Sequence, residues 1–261
     1  MSRLPIDLAD ARILVTNDDG INAPGLKVLE RIAKSLSRDV WIVAPEMEQS
    51  AAAHSLTLRR PLQVRRLSSR RFAVDGTPTD SVLLAVNHII RRRRPDLVLS
   101  GVNRGGNLGE DVTYSGTIAA AMEATLLDIP AIAMSQVRQH GGHPVKWSTA
   151  EAHGADIVRR LVSVPWPHGV LMNVNFPNVP AASVTGARVV RQGRRESGIS
   201  IVEAFDPVGR PYLWIGDFSS DASVDPDTDL AAVMQGEIAV TPLHLDLTHE
   251  DTKRQIQKVF A

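Results

Sequence analysis

Residues 12–44 read RILVTNDDGINAPGLKVLERIAKSLSRDVWIVA, and this stretch sets the fold class. Its first five residues, RILVT, form a short apolar run, the pattern of a strand buried on both faces. NDDG (residues 17–20) is a polar turn, built from residues that favour turns. Pro24 then stands where a helix starts, because a missing N–H costs nothing at the first helical position. Leu26, Leu29, Ile32, Ala33 and Leu36 follow at helical spacing,. Residues 40–44, VWIVA, are a second buried strand.

The same alternation continues outward. Residues 57–74 are poorly patterned and hold one or two strands. GTPTD (residues 76–80) turns into a helix whose buried face is Val82, Leu83, Val86, Ile89 and Ile90,. After Pro95, residues 97–100 form a third strand, followed by the glycine-rich loop GVNRGGNLGEDVTY (residues 101–114). Ser115 caps a helix running through Ala119, Met122 and Leu126,. Residues 129–134 are a fourth strand, and 171–175 a fifth. Between them lies a helix over 148–164, with Ser148 and Glu151 at capping-box spacing,. Strands apolar on both faces and alternating with helices predict an α/β fold with a doubly wound, mostly parallel sheet.

The last third is β-rich. Residues 188–215 turn at Pro207–Arg210, a short helix over 229–235 stops at Gly236, and 237–242 form a late strand,. This divides the chain into an α/β core (1–187) and a C-terminal extension (188–261), read as an oligomerisation arm packed on the core.

Composition narrows the function. The 261 residues suit one large domain,. Lys and Arg together number 29 and so do Asp and Glu, which weighs against nucleic-acid binding driven by charge. The chain has no cysteine, so disulfides, thiolate metal sites and a cysteine nucleophile are excluded. No apolar run approaches the roughly 18 residues of a membrane helix. Asp7 and Asp10 sit where a signal peptide would be apolar,. The expectation is a cytoplasmic protein with no membrane partner.

In open α/β sheets ligands bind beyond the carboxyl ends of the strands. Asp18 and Asp19 follow the first strand there, Ser50 lies a few residues after the second, and Asn103 follows the third. Adjacent carboxylates repel unless a cation balances them. Two carboxylates, a hydroxyl and an amide carbonyl are hard oxygen donors, suited to Mg²⁺, Mn²⁺ or Ca²⁺. Ser115, Gly116 and Thr117 open a helix whose free N–H groups favour a phosphate, and Asn107 is a plausible phosphate or substrate ligand. Each fragment alone also reads as an ordinary turn or cap, and only their placement after successive strands joins them. Thr77 and Thr79 of GTPTD are each a cap or a substrate contact. The glycines match neither the dinucleotide fingerprint nor a P-loop. Arg91–Arg94 reads as a solvated face, His140 and His143 as loop residues without a metal, and His54 as a possible neighbour of the cleft.

ILVTNDDGINAPGL, VAPEMEQSAAAHSLTL, GTPTD and SGVNRGGNLGEDVTYSGTIAAAMEA closely resemble the SurE family, as do FDPVGRPYLWIG and TDLAAVMQGEIAVTPLHLDLT. The resemblance covers nearly the whole chain in order. It implies a Rossmann-like fold and a metal-dependent 5′/3′-nucleotidase with one Mg²⁺ or Mn²⁺ per subunit. The implied metal ligands are Asp18, Asp19, Ser50 and Asn103, with phosphate contacts from Asn107, Ser115, Gly116 and Thr117. It also implies dimers or tetramers formed through C-terminal elements. Ala51 and Ala52 depart from it, since a glycine is common after the serine ligand, and this stiffens the loop. The expected reaction is hydrolysis of nucleoside monophosphates, with Asp18 and Asp19 catalytic and Asp19 orienting water. Alternatives are a broader phosphohydrolase acting on short polyphosphate or other esters, and a non-catalytic nucleotide sensor.

Overall fold

The computed structural model describes residues 5–138, 144–195, 199–218 and 225–260. The quoted stretch folds as β1 (Arg12–Thr16), α1 (Pro24–Leu36) and β2 (Asp39–Pro45). Then come β3 (Val64–Ser68), β4 (Arg71–Val74), α2 (Pro78–Leu84), a wider helical turn (Ala85–Ile89) and β5 (Leu97–Arg104). α3 (Gly116–Leu126), β6 (Ala131–Gln136), α4 (Trp147–Val162) and β7 (Val170–Phe176) complete the alternation. The last third contains β8 (Gly186–Val189), β9 (Ile199–Phe205), β10 (Pro211–Phe218), α5 (Asp229–Met234), β11 (Glu237–His244) and α6 (Glu250–Phe260). Among the described residues no helix is long and apolar enough to cross a membrane.

Nine strands form one sheet in the order β3-β4-β2-β1-β5-β6-β7-β11-β8 among the described residues. The run β4-β2-β1-β5-β6-β7 is parallel throughout, the strand order of a Rossmann-like doubly wound sheet. The order reverses between β1 and β5, so the crevice lies beyond their carboxyl ends.

Alternation within each strand fills two cores. Ile13, Val15, Leu97, Leu99, Ile132 and Met134 face α1 and α4. Leu14, Val43, Val98, Ala131 and Ala133 face α2 and α3. Both faces are therefore covered, and polar groups gather at the strand ends. Close approach matters at Gly25, where a Cβ would meet the Val102 carbonyl oxygen at 1.9 Å and the Trp147 ring at 3.0 Å.

Several elements differ from expectation. β5 continues through Arg104 into the glycine-rich stretch, pairing Asn103 with Ser135 and Arg104 with Gln136; the glycines had disguised strand as loop. The expected capping box of α4 is absent. The helix begins at Trp147 after Lys146, without a side-chain cap, which places Ser148 inside the first turn rather than at the cap; Glu151 accepts from Arg31 Nε at 2.6 Å. Leu83 and Ile89 are half-buried, while Val82, Val86 and Ile90 are buried. β11 lies antiparallel to β7 and carries β8 beside it, so part of the last third runs in the main sheet. β9 and β10 form a separate antiparallel hairpin. His140 and His143 lie outside the described residues.

Gly25→Ala is expected to destabilise the fold by about 3 kcal/mol, since a methyl driven into backbone cannot be absorbed by a rotamer change. Urea denaturation followed by circular dichroism checks this, and a midpoint equal to the wild type would show that α1 and β5 are less closely packed.

Candidate active site at the carboxyl ends of β1 and β5

Three loops and one helix end are bonded to one another around Asp18 and Asp19. The Gln49 N–H donates to the Asp18 carbonyl oxygen at 2.8 Å, tying the loop after β2 to the turn after β1. The Arg104 N–H donates to Asp19 Oδ2 at 3.1 Å, tying in the end of β5. The Thr117 hydroxyl donates to Asp18 Oδ1 at 2.5 Å from the first turn of α3. Gly116 allows this approach, because a Cβ there would stand 2.8 Å from the Asp18 Cβ and 3.0 Å from its Oδ2.

These segments enclose a cleft of about 350 Å³, lined by Asp18, Asp19, Ser50, Asn103, Asn107 and Ser115 among others. All four expected cation ligands thus share one cavity. Ser50 is exposed, its hydroxyl donating to Glu48 Oε1 at 2.7 Å. Asn103 donates from Nδ2 to the Gly105 carbonyl at 3.1 Å, which orients its own side chain. Asn107 is buried and donates from Nδ2 to Ser135 Oγ at 2.7 Å. Ser115 caps α3 by accepting from the Ile118 N–H at 3.1 Å. Thr117 is fully buried beneath Asp18. Gly116 and Thr117 do not line the cavity themselves; they support the residue that does.

Several supporting groups were not foreseen. Arg104, Arg138, Glu48, Asp111 and Tyr114 also line the cleft. Asn173 and Asn175 of β7 donate to the Asn107 carbonyl at 2.8 and 3.1 Å, and Asn175 Oδ1 accepts from the Asn107 N–H at 2.8 Å. Two asparagines at alternate positions of the buried strand VLMNVNF were the signal that could have found them. Asp229 accepts from the Gly109 N–H at 3.0 Å and the Gly193 N–H at 2.9 Å. Arg195 pairs with Glu110 and Asp111. The last third therefore braces the glycine-rich loop. His54 instead meets Glu123 Oε2 at 3.1 Å and stays out of the cleft lining. Thr77 is the cap of α2, while Thr79 is fully buried. Arg91–Arg94 is exposed.

The family profile described as survival protein SurE matches residues 13–198. The chain belongs to the SurE family. It is 61% identical over 254 residues to a protein of Paramagnetospirillum magneticum named 5′-nucleotidase SurE, covering 97% of each chain. A protein of Rhodospirillum rubrum with the same name is 53% identical over 256 residues, covering 97% of this chain and 98% of its own. The crystal structure of the SurE protein from Aquifex aeolicus superposes with a TM-score of 0.82 at 38% identity, covering 96% of this chain and 100% of its own.

The electrostatics of this SurE-family cleft call for positive charge. Burial, with the neighbouring Asp19 adding to it, pushes the Asp18 carboxyl up to about 6, against the opposing hydrogen bond from Thr117. Burial also raises Asp19, offset in part by the Arg104 N–H, and Glu48 raises it further. Among the described residues no three His, Cys, Asp or Glu side chains cluster as a metal group. The donors are instead two carboxylates with a hydroxyl and an amide, a set that fits a hard divalent cation keeping several waters.

Two outcomes follow. An Asp18 carboxyl raised above its usual 3.8 makes the folded chain hold an extra proton between about pH 4 and 6. Stability of the metal-free protein therefore falls with rising pH across that window and levels off above it, a loss on the order of 3 kcal/mol. Asp18→Asn is expected to melt higher than the wild type at pH 7.5 in EDTA, with a much smaller gain at pH 4.5; a lower melting point at both would refute this account. Ala51 adopts φ +59°, where a Cβ is strained. Ala51→Gly should stabilise by about 1 kcal/mol, read from chemical denaturation.

Proposed function

We propose that the chain is a 5′-nucleotidase that hydrolyses nucleoside monophosphates, 3′ as well as 5′, with a divalent cation. The observation that carries this is the convergence of Asp18, Asp19, Ser50 and Asn103 on one cleft, in a chain whose relatives carry the 5′-nucleotidase name. Those four residues would hold Mg²⁺ or Mn²⁺, one per subunit. When bound, the ion supplies a Lewis acid for a phosphoryl oxygen and acidity for a water.

The remaining roles belong to the chain. Ser115 lines the cleft at the start of α3, so the positive end of that helix's dipole faces the phosphate. Asn107, fixed on both sides by β6 and β7, is placed to contact the substrate. Arg104 and Arg138 line the same cleft and offer guanidinium groups suited to phosphoryl oxygens. Asp19 orients the attacking water. The bond from phosphorus to the ester oxygen breaks, water supplies the new oxygen, and its proton ends on the departing hydroxyl. Charge stabilisation by fixed donors carries most of such a reaction.

The protein acts as a dimer or tetramer in this reading, joined through the C-terminal extension (188–261) rather than the core (1–187). The β9–β10 hairpin exposes Ile201 and Val202 on successive positions, and Trp214 and Ile215 are 64% and 76% exposed. An isolated hairpin is marginal in water, and apolar residues on both its faces suit a second copy of the chain. α6 adds exposed Ile256, Val259 and Phe260. A cytoplasmic setting accords with the absence of cysteine,.

Phosphate release from nucleoside 5′- and 3′-monophosphates, sugar phosphates and tripolyphosphate tests the reaction. Nucleoside 5′-monophosphates are expected to turn over with Mg²⁺ or Mn²⁺, and exhaustive chelation to abolish turnover. Asp19→Asn should lower kcat at least 100-fold while the protein still melts cooperatively. Turnover that survives chelation, or preference for tripolyphosphate over every nucleotide, would overturn the reading.

A further inference from the structure

A second hollow, of about 570 Å³, opens at the other end of the sheet. It lies by the amino ends of β1 and β2, roughly 20 Å along the chain direction from Asp18 at about 3.3 Å per residue. One wall is apolar. Trp41 and Phe72 stack there with centroids 6.2 Å apart and planes 6° from parallel, and Ile89 and Ile90 continue the surface. The lining is also cationic: Arg66 lies across the β3–β4 pair from Phe72, and Arg91 and Arg92 join it. No carboxylate lines the cavity.

The pairing of these cations is uneven. Arg12, also in the lining, is neutralised by Asp39 at 2.7 Å and lies over the Trp41 ring at 5.5 Å. Among the described residues the Arg66 side chain donates to its neighbouring Ser68 carbonyl, at 3.1 Å. Arg91 bonds the His88 carbonyl at 2.8 Å and His88 Nδ1 at 2.9 Å. Among the described residues, Arg66, Arg91 and Arg92 form no ion pair with a carboxylate. Three uncompensated guanidinium groups round one hollow repel one another, in a chain whose net charge is zero. An anion with several oxygens would relieve that repulsion, and guanidinium forks match phosphate geometry. The aromatic wall asks for something more than an anion, namely a flat, largely apolar group beside it. The volume falls in the range of small-ligand sites.

We propose that this hollow is a second nucleotide site. It takes one nucleoside phosphate, the base against Trp41 and Phe72 and the phosphates on Arg66, Arg91 and Arg92. Its residues share no member with the cleft at Asp18 and Asp19, so the inference does not depend on the phosphatase reading and the two can fail separately.

The test is titration of the full-length protein in EDTA with α,β-methylene-ADP, followed by tryptophan fluorescence and calorimetry. Saturable quenching is expected, and it should persist in Asp19→Asn. Trp41→Phe should remove most of the quenching while calorimetry still detects binding. The triple variant Arg66→Gln, Arg91→Gln, Arg92→Gln should bind at least tenfold more weakly. Arg92→Glu alone, at an exposed position, should weaken binding in the same direction with an unchanged circular dichroism spectrum. Adenosine and tripolyphosphate should each bind at least tenfold more weakly than the analogue. Binding by the triple variant within twofold of the wild type, quenching unaffected by Trp41→Phe, tripolyphosphate binding as tightly as the analogue, or no binding at millimolar analogue would each overturn the assignment.

Discussion

The contact between Asp18 and the first turn of α3 is the constraint around which the upper end of this molecule is built. A carboxylate is buried there, and its hydroxyl donor comes from a residue 99 positions away in sequence. The geometry works only because the residue before that donor lacks a side chain. The same turn carries Asp19, so two like charges share a small volume, and the nearest backbone donors are spent on restraining them. The result is a set of oxygen atoms gathered in one cleft by the fold itself.

That arrangement follows from the sheet. When both faces of every central strand are buried, polar chemistry is pushed to the ends, and the reversal of strand order at β1 and β5 leaves an opening at one of them. The cleft is then closed from the far side of the sequence. Asp229 at the start of α5 and Arg195 ahead of β9 hold the glycine-rich loop that carries Asn107. The C-terminal third is thus part of the site's scaffold as well as the region that presents apolar surface outward.

Much of this was legible in the residues. The strand-helix alternation could be read because each strand is apolar on both faces and each helix on one. The meeting of Asp18, Asp19, Ser50 and Asn103 in one cleft could be read because short oxygen-bearing side chains recur just after successive strands. Other features depend on partners distant in sequence. The glycine-rich stretch looked like loop, yet pairing with β6 keeps it extended to Arg104. Ser148 and Glu151 had the spacing of a cap, but Ser148 falls inside the first turn and Arg31 on another helix takes the glutamate. Thr117 looked like a phosphate contact, whereas its hydroxyl is turned to Asp18. The second hollow was hidden because Trp41, Arg66 and Arg92 come from separate strands and a helix end.

α3 itself has a further consequence. It is lined with Ala119, Ala120, Ala121 and Ala124, all buried, and such small side chains seat it firmly between the sheet and α2. A helix held this way has no room to slide, so its first turn keeps Thr117 fixed beneath Asp18 and Ser115 fixed at the edge of the cleft. The two banks of the cleft therefore differ in kind: one is a helix start locked against the sheet, the other the exposed Ser50 segment, tied to the turn after β1 through Gln49.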